Sequence, residues 1–182
     1  MKISIIGTGI AGLSTAIFLK QEGYDVELYE RNSKVSDIGA GIVCWPNASF
    51  ILDKLNVLDA VSKVSGEVSF MKRFNDDEQL LDVMDITKIN EQMNYSSYSI
   101  LRRDLMKILF EKTFKLDISI HFNHNLIGLE SIGKDQTKIK FENGLVVLSK
   151  LVIGADGRMN SLTRKYVTGD NLPVFQGISE DG

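Results

Sequence analysis

Residues 3–12 read ISIIGTGIAG, a short run of aliphatic residues that leads into three closely spaced glycines. The apolar run 3–6 predicts a buried strand of a parallel sheet, because such strands are covered on both faces. Apolar residues recur at helical spacing from Ile10, and Gly23 is a natural C-terminal stop, so a helix is expected between them. Residues 25–30 then predict a second strand. A strand, a glycine turn, a helix and a second strand in this order are typical of a nucleotide-binding α/β unit.

The three glycines serve different physical purposes. Gly7 permits a tight turn, Gly9 lets the backbone approach a pyrophosphate, and Gly12 permits close packing of the helix on the strand. The helix N-terminus then offers unpaired N–H groups to an anion. Glu30 lies about twenty residues further on, where a carboxylate accepts hydrogen bonds from the ribose hydroxyls of adenosine. We therefore predict a dinucleotide site for FAD or NAD, because a 2′-phosphate on NADP would meet Glu30 as a like charge.

A less specific interpretation is that the glycines only shape a turn and that Glu30 is a solvated strand end. That interpretation does not explain why strand, helix, strand and acid all occur in register.

Beyond the second strand, the periodicity alternates between helix and strand. Residues 36–46 indicate a glycine-containing loop, residues 48–55 and 103–114 show helical apolar stripes, and a short helix is expected from Asn160. Asn143 and Gly144 form an Asn-Gly pair, a strong hairpin signal. Short strands are expected at residues 67–74, 80–86, 95–100, 118–122, 126–132, 137–141, 145–148 and 151–153. The predicted fold class is α/β: a Rossmann-like FAD/NAD(P)-binding fold with antiparallel β insertions.

The composition is that of an ordinary globular protein. Of the 182 residues, 43% are hydrophobic, and the formal net charge of −3 gives no electrostatic reason to expect nucleic acid or an anionic membrane. No apolar run is long enough to span a bilayer. Cys44 is the only cysteine, so neither an intramolecular disulfide nor a thiolate metal cluster is expected, and a cytoplasmic location fits best. His121 and His124 have no partners at metal-ligand spacing, so we expect surface or hairpin residues and no metal site.

Three further segments carry a resemblance to a known family. Residues 39–42 read GAGI and are followed by WPNA at residues 45–48; residues 101–105 read LRRDL; residues 154–158 read GADGR. Taken one at a time they have simpler explanations: a flexible loop, a solvated arginine, and a strand-to-helix turn capped by an acid. Together with the glycine turn, the three segments occur in an order and at separations that are typical of one family. The chain resembles the FAD-dependent aromatic hydroxylases of the salicylate and p-hydroxybenzoate hydroxylase type. Related tetracycline-modifying flavin monooxygenases share the same segments.

The resemblance implies a set of cofactor-binding residues. Arg102 is the arginine that reaches the flavin cofactor, while Arg103 is solvated. Asp156 helps to hold the ribityl and pyrophosphate region and also serves pyridine nucleotide binding. A strand passes the adenine, which suggests backbone contacts from Leu126. The predicted cofactor-binding residues are Gly7, Thr8, Gly9, Ile10, Ala11, Gly12, Glu30, Arg31, Gly41, Arg102, Leu126 and Asp156.

The resemblance also implies a domain organisation. Residues 1–182 form the FAD-binding domain, residues 64–100 contribute a β insertion to a substrate domain, and residues 170–182 begin that domain. The family carries a second Gly-Asp segment further downstream that these residues lack, so we expect the chain to represent the N-terminal part of the enzyme. Exposed sheet edges would then favour a homodimer or strand exchange.

The reaction that the resemblance implies uses FAD as cofactor, NAD(P)H as co-substrate and O₂ to hydroxylate a small, often aromatic, substrate. No side chain has the pairing expected of a nucleophile or general base, so the catalytic residues are unknown. Two alternatives remain open. The chain could belong to another FAD or NAD oxidoreductase, or it could be a non-catalytic nucleotide-binding fragment.

Overall fold

The computed structural model describes residues 2–35 and 39–169. Twelve strands and six helices lie within these ranges, and most of the long elements match those expected from the sequence. In chain order they are β1 (Lys2–Ile6), α1 (Ile10–Gln21), β2 (Asp25–Tyr29), β3 (Gly41–Cys44), α2 (Pro46–Lys54), α3 (Leu58–Ser62), β4 (Gly66–Glu67), β5 (Phe70–Phe74), β6 (Leu80–Asp85), α4 (Thr87–Met93), β7 (Tyr98–Leu101), α5 (Arg102–Lys115), β8 (Ser119–His121), β9 (Leu126–Ile132), β10 (Gln136–Phe141), β11 (Val146–Ser149), β12 (Leu151–Gly154) and α6 (Leu162–Thr168).

A parallel sheet with the strand order β12–β1–β2–β8 forms the centre of the fold. Helix α1 packs on this sheet together with α5, and its apolar stripe is fully buried at Leu13, Ala16 and Ile17. The strand, helix and second strand predicted for residues 3–30 are confirmed as β1, α1 and β2. The short strand expected at residues 118–122 is β8, which extends the parallel sheet: Tyr29 of β2 lies opposite His121 of β8.

Strands β9, β10 and β11 form the antiparallel meander expected from the sequence. The turn between β10 and β11 uses Asn143 and Gly144, where Gly144 adopts a φ of +86° and the Asn143 side chain accepts a hydrogen bond from the amide of Leu145. Ile139 and Phe141 of β10 are buried against Tyr29 and form a second, smaller core beside the parallel sheet. The meander therefore covers the end of β2 that leads into the predicted site.

The prediction of a loop at residues 36–46 was wrong in its second half. Gly41–Cys44 is a strand that pairs antiparallel with β7, which also pairs with β4. The glycines at 39 and 41 suggested a loop, but the strand is specified by long-range pairing that a local pattern does not reveal. The short helices α3 and α4 were not predicted. Residues 36–38 lie outside the described residues.

The strands expected at residues 67–74 and 80–86 form the antiparallel β5–β6 hairpin, in which Phe70 lies opposite Asp85 and Met71 opposite Met84. Its strands are exposed along nearly their whole length. The assignment of residues 64–100 to a substrate-domain insertion stays a prediction, and the expected beginning of a second domain at residues 170–182 lies outside the described residues. In the described ranges, no helix combines the length and apolarity needed to cross a membrane.

Candidate functional site

The junction of β1 and α1 brings three backbone segments into direct contact. A Cβ atom placed on Gly7, which has a φ of +104°, would lie 2.3 Å from the carbonyl oxygen of Ala155. A Cβ atom on Gly12 would lie 2.0 Å from the carbonyl oxygen of Gly7. Both positions exclude any side chain, because the neighbouring atoms are backbone and cannot rotate away. The two glycines therefore allow β1, α1 and the turn after β12 to meet at a single point.

Gly9 differs from its two neighbours in this motif. It is the N-cap of α1, no side chain caps the helix, and the first turn contains no acidic residue. A Cβ atom on Gly9 would meet nothing within 4 Å. The helix N-terminus therefore combines uncapped N–H groups with open space in front of them, which is the arrangement that a pyrophosphate needs.

Glu30 follows β2 and is only 7% exposed. Its Oε2 accepts hydrogen bonds from the Thr8 amide at 2.9 Å and from the Thr8 hydroxyl at 2.7 Å. Its Oε1 accepts hydrogen bonds from the Asn32 amide at 3.0 Å and from the Asn32 side-chain Nδ2 at 2.7 Å. Within residues 2–35 and 39–169, the buried carboxylate is therefore satisfied by four hydrogen bonds from neutral donors and forms no ion pair with a basic side chain.

Asp156 lies in the turn between β12 and α6. Its Oδ1 accepts hydrogen bonds from the hydroxyls of Ser161 at 2.7 Å and Thr163 at 2.5 Å, and its Oδ2 accepts one from the Thr163 amide at 3.1 Å. Burial raises the pKa of Asp156, but the hydrogen bonds from Ser161 and Thr163 outweigh it and leave the pKa below its usual value. The carboxylate thus ties the turn to the start of α6, which is the capping role considered above as the simpler explanation.

Arg102 is the first residue of α5 and is placed by the β3–β7 pairing. Its amide donates to the carbonyl of Ala40 at 3.2 Å. Gly39 packs directly on its side chain, since a Cβ atom there would lie 2.6 Å from Cδ of Arg102. Arg103 is exposed and contacts Asp104, with the charged atoms 3.7 Å apart. The two neighbouring arginines therefore differ in environment, with Arg102 half-buried and Arg103 exposed.

A cleft of about 330 Å³ joins these groups. Both Glu30 and Asp156 line it, so the two carboxylates face one cavity. Eight of the predicted residues line the cleft: Gly7, Thr8, Gly9, Glu30, Arg31, Arg102, Leu126 and Asp156. Four lie outside its wall, and a role for them in cofactor contact stays a prediction: Ile10, Ala11, Gly12 and Gly41.

The wall of the cleft also contains residues outside the predicted set of cofactor-binding residues. His124, which the sequence predicted as a surface or hairpin residue, is half-buried in this wall. Its amide donates to the carbonyl of Glu30 at 2.8 Å, and its Nδ1 donates to the carbonyl of Phe122 at 2.6 Å. The other lining residues outside the predicted set are Ile6, Tyr29, Asn32, Met106, Asn125, Ala155, Gly157, Asn160 and Leu162, of which Ala155 and Gly157 belong to the GADGR segment.

An aromatic cluster includes two residues of this wall, Tyr29 and His124. The Tyr29 ring stacks on His121 and on Phe141 with centroids 4.8 Å apart in each case, and His124 packs edge-on against Tyr29. Burial raises the pKa of Tyr29, and the hydrogen bond from its hydroxyl to Glu27 raises it further. The parallel sheet and the meander meet at this cluster, which explains why no local sequence signal revealed it.

Comparison with known proteins identifies the family. Residues 1–180 match the model of the FAD binding domain family. This chain belongs to that family. FAD is its cofactor, and the cleft fits the adenosine half of FAD, with open space at Gly9, an uncapped helix N-terminus and the Glu30 carboxylate in one wall. No group of metal-ligating side chains occurs among the residues that the structure describes.

Similar proteins include a FAD-dependent hydroxylase and a monooxygenase. The chain is 33% identical over 173 residues to FAD-dependent urate hydroxylase from Mycolicibacterium vanbaalenii, and this match covers 93% of the chain but 42% of the relative. It is 25% identical over 178 residues to 6-hydroxynicotinate 3-monooxygenase from Bordetella bronchiseptica, covering 97% of the chain and 45% of the relative.

Solved structures agree. Klebsiella pneumoniae HpxO complexed with FAD and uric acid superposes with a TM-score of 0.78 at 27% identity, over 91% of this chain and 41% of that one. The tetrameric form of 2-methyl-3-hydroxypyridine-5-carboxylic acid oxygenase gives a TM-score of 0.80 at 26% identity, over 92% and 42%. The chain therefore spans about two fifths of the length of these relatives.

Proposed function

We propose that this chain is the FAD-binding part of an NAD(P)H- and O₂-dependent monooxygenase that hydroxylates a small aromatic or heterocyclic compound. The observation that supports the proposal most strongly is the common cleft of Glu30, Asp156 and the uncapped N-terminus of α1. In a cleft of this kind, an adenosine diphosphate group would be bound without being tightly enclosed and without many positively charged side chains around it. Local donors, rather than net charge, therefore hold the cofactor.

The chain's own residues position the cofactor. The first turn of α1 binds the pyrophosphate through backbone N–H groups, Glu30 accepts hydrogen bonds from the ribose hydroxyls, and Arg102 places a guanidinium on the flavin side of the cleft. Asp156 acts through the turn that it stabilises, because its carboxylate is committed to Ser161 and Thr163.

Bound FAD supplies the redox chemistry, by which the substrate R–H, O₂, NAD(P)H and one proton yield R–OH, water and NAD(P)⁺. The substrate class rests on the relatives, one of which is named for urate and another for 6-hydroxynicotinate. The described cleft does not select a substrate, since its lining belongs to the cofactor.

The single cysteine, Cys44, is free and buried, which supports a reducing, cytoplasmic location. The exposed strands β5 and β6 support the self-association expected above.

FAD binding is tested by equilibrium titration of the purified chain, followed by flavin fluorescence and the visible spectrum. Glu30→Gln should weaken FAD binding by about tenfold or more, because a hydrogen bond to a charged group is lost. Glu22→Gln is the matched control, since Glu22 is an exposed glutamate at the other end of α1. If the wild type and Glu30→Gln bound FAD with equal affinity, Glu30 would not be part of the FAD site.

The monooxygenase activity is tested on a polypeptide of the length of the relatives that begins with this chain. With NADH or NADPH and ¹⁸O₂, candidate phenols and hydroxylated heterocycles should stimulate nucleotide oxidation, and one ¹⁸O atom should appear in the product. Nucleotide oxidation that forms hydrogen peroxide with every candidate, without labelled product, would instead support an oxidase.

A further inference from the structure

The four hydrogen bonds to Glu30 leave no acceptor position for a ribose hydroxyl. A carboxylate has about four lone-pair positions, two on each oxygen. In this structure Thr8 fills both positions on Oε2, and Asn32 fills both positions on Oε1. Adenosine binding at Glu30 must therefore begin with the loss of one internal donor.

The four donors differ in how easily they can leave. The amides of Thr8 and Asn32 belong to the backbone of the two turns and are fixed. The Thr8 hydroxyl sits on a side chain that is only 3% exposed, so it cannot swing into solvent. Asn32 is exposed, so its Nδ2 can leave Glu30 for water at the cost of one net hydrogen bond, without leaving a buried donor unpaired.

We infer that the Asn32 side chain occupies the place of a ribose hydroxyl on Glu30 and is displaced when adenosine binds. Oε2 is then the fixed oxygen, oriented by Thr8, and Oε1 is the oxygen that receives the ribose. Asn32 thereby sets the affinity for the cofactor, and Thr8 is a positioning residue. This inference rests on the proposed placement of the adenosine ribose at Glu30.

The inference predicts opposite effects for two substitutions. In the free Asn32→Ala protein, water replaces the side-chain donor on Oε1, so ADP no longer has to displace that donor. ADP should therefore bind about threefold to tenfold more tightly, a gain in affinity that corresponds to one net hydrogen bond. Thr8→Val removes the hydroxyl that orients Oε2 and keeps the β-branched shape, so ADP should bind more weakly by a similar factor. Thr8→Ser should restore the affinity.

The ligand pair ADP and 2′,3′-dideoxy-ADP separates the ribose contact from the pyrophosphate contact. Both effects should appear with ADP and should be absent with 2′,3′-dideoxy-ADP, which has no hydroxyl to offer Glu30. A general disturbance of the turn would instead change both affinities together. Ser33→Ala is the matched control, because Ser33 is the exposed next residue of the same turn, whereas the four donors to Glu30 come from Thr8 and Asn32.

Isothermal titration of the 182-residue chain with both nucleotides measures these affinities, and thermal unfolding of each variant confirms that it is folded. Tighter ADP binding by Asn32→Ala, with Ser33→Ala unchanged, supports the inference. Unchanged or weaker ADP binding by Asn32→Ala overturns it. A wild-type chain that binds the two nucleotides equally contradicts the placement of ribose at Glu30 itself, so failure of the inference and failure of the site give different results.

Discussion

Gly9 and Gly12 are three residues apart, yet replacing them with alanine should have separable effects. In Gly12→Ala the new Cβ would lie 2.0 Å from the carbonyl oxygen of Gly7 and 3.0 Å from its carbonyl carbon, whereas ordinary contact begins at 3.4 Å. Because both atoms are backbone, α1 has to move away from β1 by more than about 1 Å at this point. In Gly9→Ala the new Cβ meets nothing.

The magnitudes follow from these distances. Overpacking costs about 1–3 kcal/mol and occasionally more, while alanine gains about 1 kcal/mol over glycine inside a helix. The overlap at Gly12 is large and cannot relax through a side chain, so we expect a net loss of about 2 kcal/mol, or a fall in Tm of about 4–8 °C for a chain of this size. Gly9→Ala should lose less than about 1 kcal/mol, because alanine is only a poorer N-cap. Its methyl group, however, enters the space of the pyrophosphate and should weaken FAD binding by about tenfold or more.

Two assays separate these outcomes. Urea unfolding, followed by circular dichroism and by the fluorescence of Trp45, gives the free energy of unfolding, and a flavin titration gives the affinity. The reasoning is refuted if Gly12→Ala is as stable as the wild type, or if Gly9→Ala binds FAD with unchanged affinity.

Three further predictions concern other parts of the site and the core. Arg102→Ala should weaken FAD binding by about tenfold, the value of a charge-assisted hydrogen bond, whereas Arg103→Ala should not change it; equal effects in the flavin titration would contradict the assignment. The lowered pKa of Asp156 means that its carboxylate stabilises the fold above the unfolded value of about 3.9 and that this contribution is lost as the pH falls through the folded value. Wild type and Asp156→Asn should therefore differ in Tm at about pH 7, and this difference should shrink as the pH falls below about 3.9; a difference that does not change with pH would count against it. Ile139→Ala should lower the free energy of unfolding by about 2–5 kcal/mol, because Ile139 is fully buried in the second core; urea unfolding measures this loss, and a change below about 1 kcal/mol would show that the meander does not pack as described.

Local signals predicted the part of the fold that depends on local physics. The β1–α1–β2 unit could be predicted because Gly7 and Gly12 mark steric requirements and because apolar residues recur at helical spacing in α1. Asp156 was identified only through the family resemblance. In the structure its carboxylate caps the turn before α6, so its role is more structural than expected.

The features that the sequence did not reveal depend on contacts between distant segments. Strand β8 reads like its antiparallel neighbours, and only its pairing with β2 places it in the parallel sheet. His124 enters the cleft wall because its amide bonds to the carbonyl of Glu30, a residue far earlier in the chain. Asn32 has no sequence signal at all, since an asparagine in a polar turn is common, and its significance comes from a side-chain geometry that composition does not encode.

The central claim is that an adenosine diphosphate group lies across the β1–α1 junction with its ribose at Glu30. A crystal structure of this chain with ADP tests it most directly. The account predicts pyrophosphate oxygens within about 3.2 Å of backbone nitrogens in the first turn of α1, and a ribose hydroxyl at the same distance from Glu30 Oε1. ADP bound elsewhere, or bound here with its ribose turned away from Glu30, would contradict it.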